Sequence, residues 1–262
     1  MQVRKEPLTL EYKTCPGGPI KVDVYIPSNV HPSSGAVVYF HGGGLTVGNR
    51  KSWFPTWLHK RLDAVGHALV SPDYRLIPSG GVTAHEELED IQDLFTFLRG
   101  PEFQRALPTG LDFKLRPDRI AVAGTSAGGT CSYLAATHVQ PKPKAVLSMY
   151  GMGGDYLQRL GPRNDGNELA ETIDSKHLGL FPSLNVRSDW PSTLFVHGAE
   201  DSAVPVAESQ YLHELLLKQG VASELVIVEG KEHSFDYEPG SEDTHRALFD
   251  RIARFLDEQL TK

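Results

Sequence analysis

The chain has 262 residues, 40% hydrophobic and 23% charged, with a formal net charge of −7. That is enough chain for one large domain with a sizeable core, and the composition is that of a globular protein rather than a disordered or fibrous one. An acidic balance without any Lys/Arg cluster excludes nucleic acid as the main partner, because a phosphate-binding surface needs a basic excess.

The opening residues, MQVRKEPLTLEYK, lack the apolar stretch of a signal peptide, and no run approaches the roughly 18 apolar residues of a membrane helix. The expectation is a soluble, cytoplasmic protein without a membrane span. Alternating runs at 8–13 and 20–27, joined by a Cys-Pro-Gly-Gly-Pro turn, predict an antiparallel hairpin at a sheet edge. Ala36 to Phe40 is continuously apolar, as in a strand buried on both faces. From there strand and helix alternate. A helix is predicted over Lys51–Val65, a strand over Ala68–Tyr74, and a helix over Thr83–Arg99 with acidic residues in its first turns, which suits the helix dipole. A proline-rich connection, Gly100 to Pro117, leads to a strand at 120–123 and an alanine-rich helix after Ser126. Further strands are predicted at Ala145–Tyr150, Ser192–Gly198 and Glu224–Val228, with helices over Val206–Gln219 and about Glu242–Leu260. Such alternation means a mostly parallel sheet covered by helices on both faces, within a single domain spanning 1–262. Residues 152–190 break the rhythm with one helical fragment, Asn167–Ile173, and read as a small cap over the site. Two cysteines, Cys15 and Cys131, make no disulfide framework.

Gly124-Thr125-Ser126-Ala127-Gly128 places a serine at the tip of a strand-to-helix turn. The flanking glycines give the turn room, and the tip exposes the hydroxyl beside the first N–H groups of the helix. Ser126 is the candidate nucleophile. Ligands of open α/β sheets bind at the carboxyl ends of the strands, and the partners follow predicted strands there. His233 is the candidate base, and the acid is Asp201 or its neighbour Glu200. The glycines after His41 can approach a substrate closely, so the N–H groups of Gly43, Gly44 and Ala127 form the candidate oxyanion hole. Leu45, Trp53, Phe54, Tyr150 and Trp190 are candidate pocket residues.

Five motifs in order carry a resemblance: His41-Gly42-Gly43-Gly44, Asp73-Tyr74-Arg75-Leu76, Gly124 to Gly129, Asp201 to Pro205 and His233 to Phe235. With them the chain resembles the hormone-sensitive-lipase-like esterases of the α/β-hydrolase superfamily. The resemblance implies an α/β-hydrolase fold, selects Asp201 over Glu200, and implies hydrolysis of a carboxylic ester with a short acyl group through an acyl-enzyme. Two departures are visible. Thr125 stands where that family usually has aspartate, and only about forty residues precede His41, where the family usually carries a longer cap. Lactone, thioester or amide hydrolysis on the same triad, including action on a polyketide intermediate, is the alternative, and a non-catalytic ligand-binding protein is the second. No phosphate-loop or dinucleotide fingerprint is present and the histidines lack metal-ligand spacing, so the expectation is no cofactor, no metal, and a small-molecule ester as partner. The oligomeric state is left open.

Overall fold

A computed structural model of the chain describes residues 6–30, 34–111, 113–155 and 175–262. The alternating runs at the start pair as strands β1 (Leu8–Cys15) and β2 (Gly18–Tyr25), antiparallel, with Leu8 opposite Val24 and Cys15 opposite Gly18. β2 pairs antiparallel with β4 (Ala68–Pro72). The remaining strands, β3 (Ala36–Phe40), β5 (Ile120–Thr125), β6 (Ala145–Met149), β7 (Ser192–Gly198) and β8 (Ser223–Val228), continue the sheet in parallel with β4. The order is β1-β2-β4-β3-β5-β6-β7-β8. The predicted edge hairpin and mostly parallel sheet are both present.

The strands are apolar on both faces because both faces are covered. Ala36, Val38 and Phe40 of β3 point into one core with Ile91 and Leu94 of α2 (Ala84–Arg99), Leu134 of α4 (Ala127–His138) and Leu212 of α5 (Ala207–Lys218). Val37 and Tyr39 point into the other, with Leu58 and Leu62 of α1 (Thr56–Val65) and Phe249, Ile252 and Leu256 of α6 (Arg246–Thr261). The twofold alternation of the strands thus meets the helical periodicity of α2 and α6, and two separate cores result.

Several predicted boundaries move, each for a local reason. α1 starts at Thr56 rather than Lys51, because Pro55 disfavours helical geometry at the residue before it and Asp73 ties down the Arg50 backbone N–H at 2.8 Å. α2 starts where a capping box fixes it, Thr83 and Glu86 bonding each other's backbone. The proline-rich connection contains a short helix, α3 (Pro101–Ala106), with Pro101 in its first turn and buried Phe103 meeting Phe97 edge-on at 5.8 Å. The last helix is interrupted at His245, which leaves a single turn, Ser241–Thr244, ahead of α6.

Residues 156–174 of the predicted cap, including the helical fragment at 167–173, lie outside the described residues. Its return limb runs along the α2 and α4 side of the sheet. The His177 ring meets His85 at the start of α2 (Nδ1 to Nε2, 2.8 Å), and His138 at the end of α4 donates to the Gly179 carbonyl at 2.7 Å. No helix among the described residues is long and apolar enough to cross a membrane.

One carboxyl in this core titrates far from its usual range. Glu87 of α2 is 1% exposed, and neither of its oxygens has a hydrogen-bond partner. Burial first, and the neighbouring Asp90 second, push its pKa from 4.5 up to about 8. The folded chain therefore keeps a proton that the unfolded chain releases, so the contribution to stability is full below about pH 4.5 and is lost as the pH rises towards 8. Glu87→Gln carries no such proton. The variant is expected to gain several degrees in Tm over the parent between about pH 5 and about pH 9; parallel Tm–pH curves would show that Glu87 does not titrate in this window.

Candidate active site

The chain order reverses between β3 and β5: β4 lies on one side of β3, and β5 to β8 step away on the other. At such a switch point the loops leaving the two strands splay apart and open a crevice at their carboxyl ends. The His41–Gly44 loop leaves β3 there, and Ser126 leaves β5.

Ser126 has φ 53° and ψ −121°, a conformation a side-chain-bearing residue holds only under constraint. The constraint is visible in the backbone: its N–H donates to the Met149 carbonyl at 3.1 Å, and its own carbonyl accepts from Gly129 and Met152, each at 2.9 Å. The flanking glycines permit this. A Cβ on Gly124 would lie 2.0 Å from the Gly128 carbonyl oxygen, and one on Gly128 would lie 2.0 Å from that of Phe40.

Asp201 and His233 come from the loops after β7 and β8. Gly198 lets these loops touch, since a Cβ there would sit 2.2 Å from the Lys231 carbonyl oxygen. The Asp201 carboxylate accepts the Ala203 and Val204 N–H groups on Oδ1 (3.0 and 2.7 Å) and His233 Nδ1–H on Oδ2 at 2.7 Å. Glu200, by contrast, is exposed. His197, whose part the sequence leaves undefined, braces this acid. Buried completely, it donates from Nε2 to the Val204 carbonyl at 2.7 Å, 3.2 Å from Asp201 Oδ2, and accepts the Ser209 hydroxyl on Nδ1 at 2.7 Å. Burial holds its pKa below the ordinary value, which keeps the ring neutral.

The glycine loop folds back on itself, with the Gly43 carbonyl accepting from Thr46 and Val47 at 3.1 Å each. Gly43 and Gly44 take φ 107° and 63°, which suits glycine. No hydrogen bond of the described residues uses either N–H, and an added Cβ on Gly42 would lie 3.3 Å from that of Ser126. His41 supports the loop from below: its Nδ1–H donates to the Gly42 carbonyl at 2.7 Å, and its ring stacks on Tyr74 at 4.4 Å. Tyr74 in turn donates to the His41 carbonyl at 2.8 Å. Burial lowers the His41 pKa as well.

These parts share a cavity of about 210 Å³ lined by Gly42, Gly43, Gly44, Trp53, Thr125, Ser126, Tyr150, His233, Ser234 and Tyr237. Larger hollows of about 480 Å³ between the ends of α2 and α4, and about 630 Å³ beside the hairpin turn, contain no serine–histidine pair. Of the candidate pocket residues, Trp53 and Tyr150 line the cavity; Tyr150 also meets His233 edge-on, centroids 4.6 Å apart. Leu45 and Trp190 do not line it. Leu45 packs against the α2-side core, and Trp190 is buried in that core, bonded to the Thr193 hydroxyl at 3.2 Å. Phe54 packs on Tyr25 in the opposite core, rings 4.7 Å apart.

The sequence reading misses Tyr237 and Asp236. Asp236, 3% exposed, accepts Tyr150 O–H at 2.5 Å and Trp57 Nε1–H at 3.0 Å, and burial raises its pKa. The aromatic-acid pattern Phe235-Asp236-Tyr237 is the only sequence signal for either. No group of three or more His, Cys, Asp or Glu side chains among the described residues could hold a metal ion.

A strained serine elbow at the switch point of a mostly parallel sheet, with a carboxylate-held histidine in the same cavity, is the arrangement expected of the α/β-hydrolase fold. The family model described as alpha/beta hydrolase fold matches residues 37–237, and the chain belongs to that family. Carboxylesterase NlhH of Mycobacterium tuberculosis is 40% identical over 119 residues, covering 45% of this chain and 33% of that protein. The non-reducing polyketide synthase Preu6 of Preussia isomera is 32% identical over 151 residues, 54% of this chain and 6% of that one. The chain thus spans less than half the length of the curated relatives it matches. Among solved structures, esterase 2 of Thermogutta terrifontis, phosphoramylated by tabun, superposes with a TM-score of 0.77 over 98% of this chain and 96% of that one, at 21% identity. That likeness is one of fold.

Proposed function

We propose that the chain is a carboxylic-ester hydrolase acting through Ser126, His233 and Asp201 on substrates with a small acyl group. The observation that carries this reading is the His233 imidazole, fixed by Asp201 at 2.7 Å and lining the same cavity as the Ser126 elbow. With Nδ1–H committed to Asp201, the free Nε2 takes the Ser126 proton as the hydroxyl attacks the ester carbonyl. The carbonyl oxygen becomes an oxyanion facing the N–H groups of Gly43, Gly44 and Ala127, each such donor contributing about 3 kcal/mol at the transition state. His233 then passes its proton to the leaving alkoxide, which leaves an acyl-Ser126. Water, deprotonated by the same imidazole, attacks the acyl-enzyme and releases the acid. Asp201 stays ionised throughout and stabilises the imidazolium.

The cavity size supports a short acyl group, and no Asp, Glu, Lys or Arg among the described residues lines it. The predicted cap at 152–190 belongs to the same domain in this reading. Incubation with a fluorophosphonate, followed by peptide mass spectrometry, is expected to place one adduct on Ser126, and p-nitrophenyl esters from acetate to butyrate are expected to turn over faster than long-chain ones. No adduct and no turnover would sink the proposal. The similarity to Preu6 supports a second reading, hydrolysis of a thioester or lactone on a polyketide intermediate. An acyl thioester cleaved far faster than the matched oxygen ester would favour it.

A further inference from the structure

We propose that Trp53 is a positioning residue for the oxyanion loop, clamped in place by a hydroxyl cluster that also grips the residue before the nucleophile. The inference rests on the hydrolase reading above and adds a part to it.

Trp53 is an odd residue on local grounds. Its backbone sits at φ 45°, in the left-handed region that favours glycine, and its side chain is 43% exposed. Neither the burial of a core residue nor an easy backbone explains its place. Its contacts do. The indole edge lies against both ends of the glycine loop: a Cβ on Gly43 would come within 3.2 Å of Trp53 Cζ3, and one on Gly48 within 2.9 Å. The ring therefore packs directly on the backbone that carries the Gly43 N–H.

The strained Trp53 backbone is held from the other side. Its carbonyl accepts the Tyr39 hydroxyl at 2.8 Å and the Tyr237 hydroxyl as well. Tyr39 O also lies 2.8 Å from the Tyr237 hydroxyl and 2.9 Å from Thr125 Oγ1. Burial raises the pKa of both tyrosines, so both remain protonated donors at neutral pH. Four parts of the site meet at this cluster. Tyr39 belongs to β3, Thr125 precedes Ser126, Tyr237 follows His233 by four residues, and Trp53 covers the oxyanion loop. The Thr125 hydroxyl joins as a neutral member, which is the local consequence of having threonine rather than a carboxylate before the nucleophile.

A wall of the substrate pocket and a clamp on the oxyanion loop give different kinetics. Losing a wall weakens substrate binding and raises KM; displacing oxyanion donors weakens the transition state alone and lowers kcat. Trp53→Ala is expected to lower kcat for p-nitrophenyl acetate by about 30- to 300-fold, somewhat less than outright loss of a donor, with KM changed less than about threefold. Trp53→Phe should recover most of the loss. The Tyr39→Phe/Tyr237→Phe double variant keeps the indole and frees the carbonyl, and should lose about tenfold in kcat with the same KM pattern. It serves also if Trp53→Ala fails to fold. A raised KM with unchanged kcat, or a double variant with parental kcat, overturns the clamp while leaving the hydrolase reading intact. A parent protein that neither labels at Ser126 nor turns over ester overturns both.

Discussion

Replacing His233 by alanine is expected to lower kcat by about 10⁴-fold or more while leaving the melting temperature within a few degrees of the parent. The imidazole is half-buried at the end of a loop, and its removal leaves no cavity in either core. Its chemistry, however, has no understudy. His41 is fully buried with Nδ1 given to Gly42, and His197 has both ring nitrogens engaged, by Ser209 and Val204. Neither lines the cavity that holds Ser126. Asp201→Asn should approach the same loss by another route. An amide in place of the carboxylate can present its NH₂ to the imidazole, which then carries its proton on Nε2, facing the serine it should deprotonate. The Ala203 and Val204 N–H groups would lose a charged acceptor, so this variant should also lose stability. Steady-state kinetics with active-site titration distinguishes these outcomes, and a loss below about 100-fold in His233→Ala would point to a different base.

What the sequence made legible follows from how local each constraint is. The Ser126 elbow is written in adjacent residues, because Gly124 and Gly128 are required by contacts within the same turn and with the neighbouring strand. The two-faced burial of β3 and β5 is written in unbroken apolar runs, and the Thr83 start of α2 in its capping box. The acid and the histidine were legible as residues at strand ends, but the choice of Asp201 over Glu200 needed a family pattern. In the structure the Asp201 carboxylate is fastened by two backbone N–H groups of its own loop and meets His233 Nδ1, while Glu200 is exposed. Illegible were the contacts between distant segments. Nothing near Tyr237 says that its hydroxyl reaches the Trp53 carbonyl 184 positions away, and nothing near Trp57 says that it binds Asp236. Trp190 and Leu45 are pocket candidates on sequence alone. Trp190 is instead buried in the α2-side core and Leu45 packs against that core, its carbonyl accepting the Ile77 N–H at 2.8 Å.

Gly128→Ala is expected to damage stability and turnover together, by a mechanism unlike that of the triad variants. The new methyl would lie 2.0 Å from the Phe40 carbonyl oxygen and 2.8 Å from that of His41. Both obstacles are backbone, and they belong to the end of β3 from which the glycine loop departs. A flexible side chain could swing aside; here either the start of α4 or the end of β3 must move. Overpacking of this kind costs about 3 kcal/mol or more, which for a chain of this length means a fall in Tm of roughly 6–12 °C. The same displacement separates the Ser126 elbow from the loop whose N–H groups would receive the oxyanion, so kcat should fall by about 10²-fold or more even where the protein remains folded. Gly17→Ala is the matched control, since a Cβ there meets nothing within 4 Å and its φ lies outside the left-handed region. It should leave both quantities unchanged. A Gly128→Ala protein with parental Tm and turnover would mean that β3 and α4 can part without cost, and that the close approach at the elbow is not what sets the distance between nucleophile and oxyanion loop.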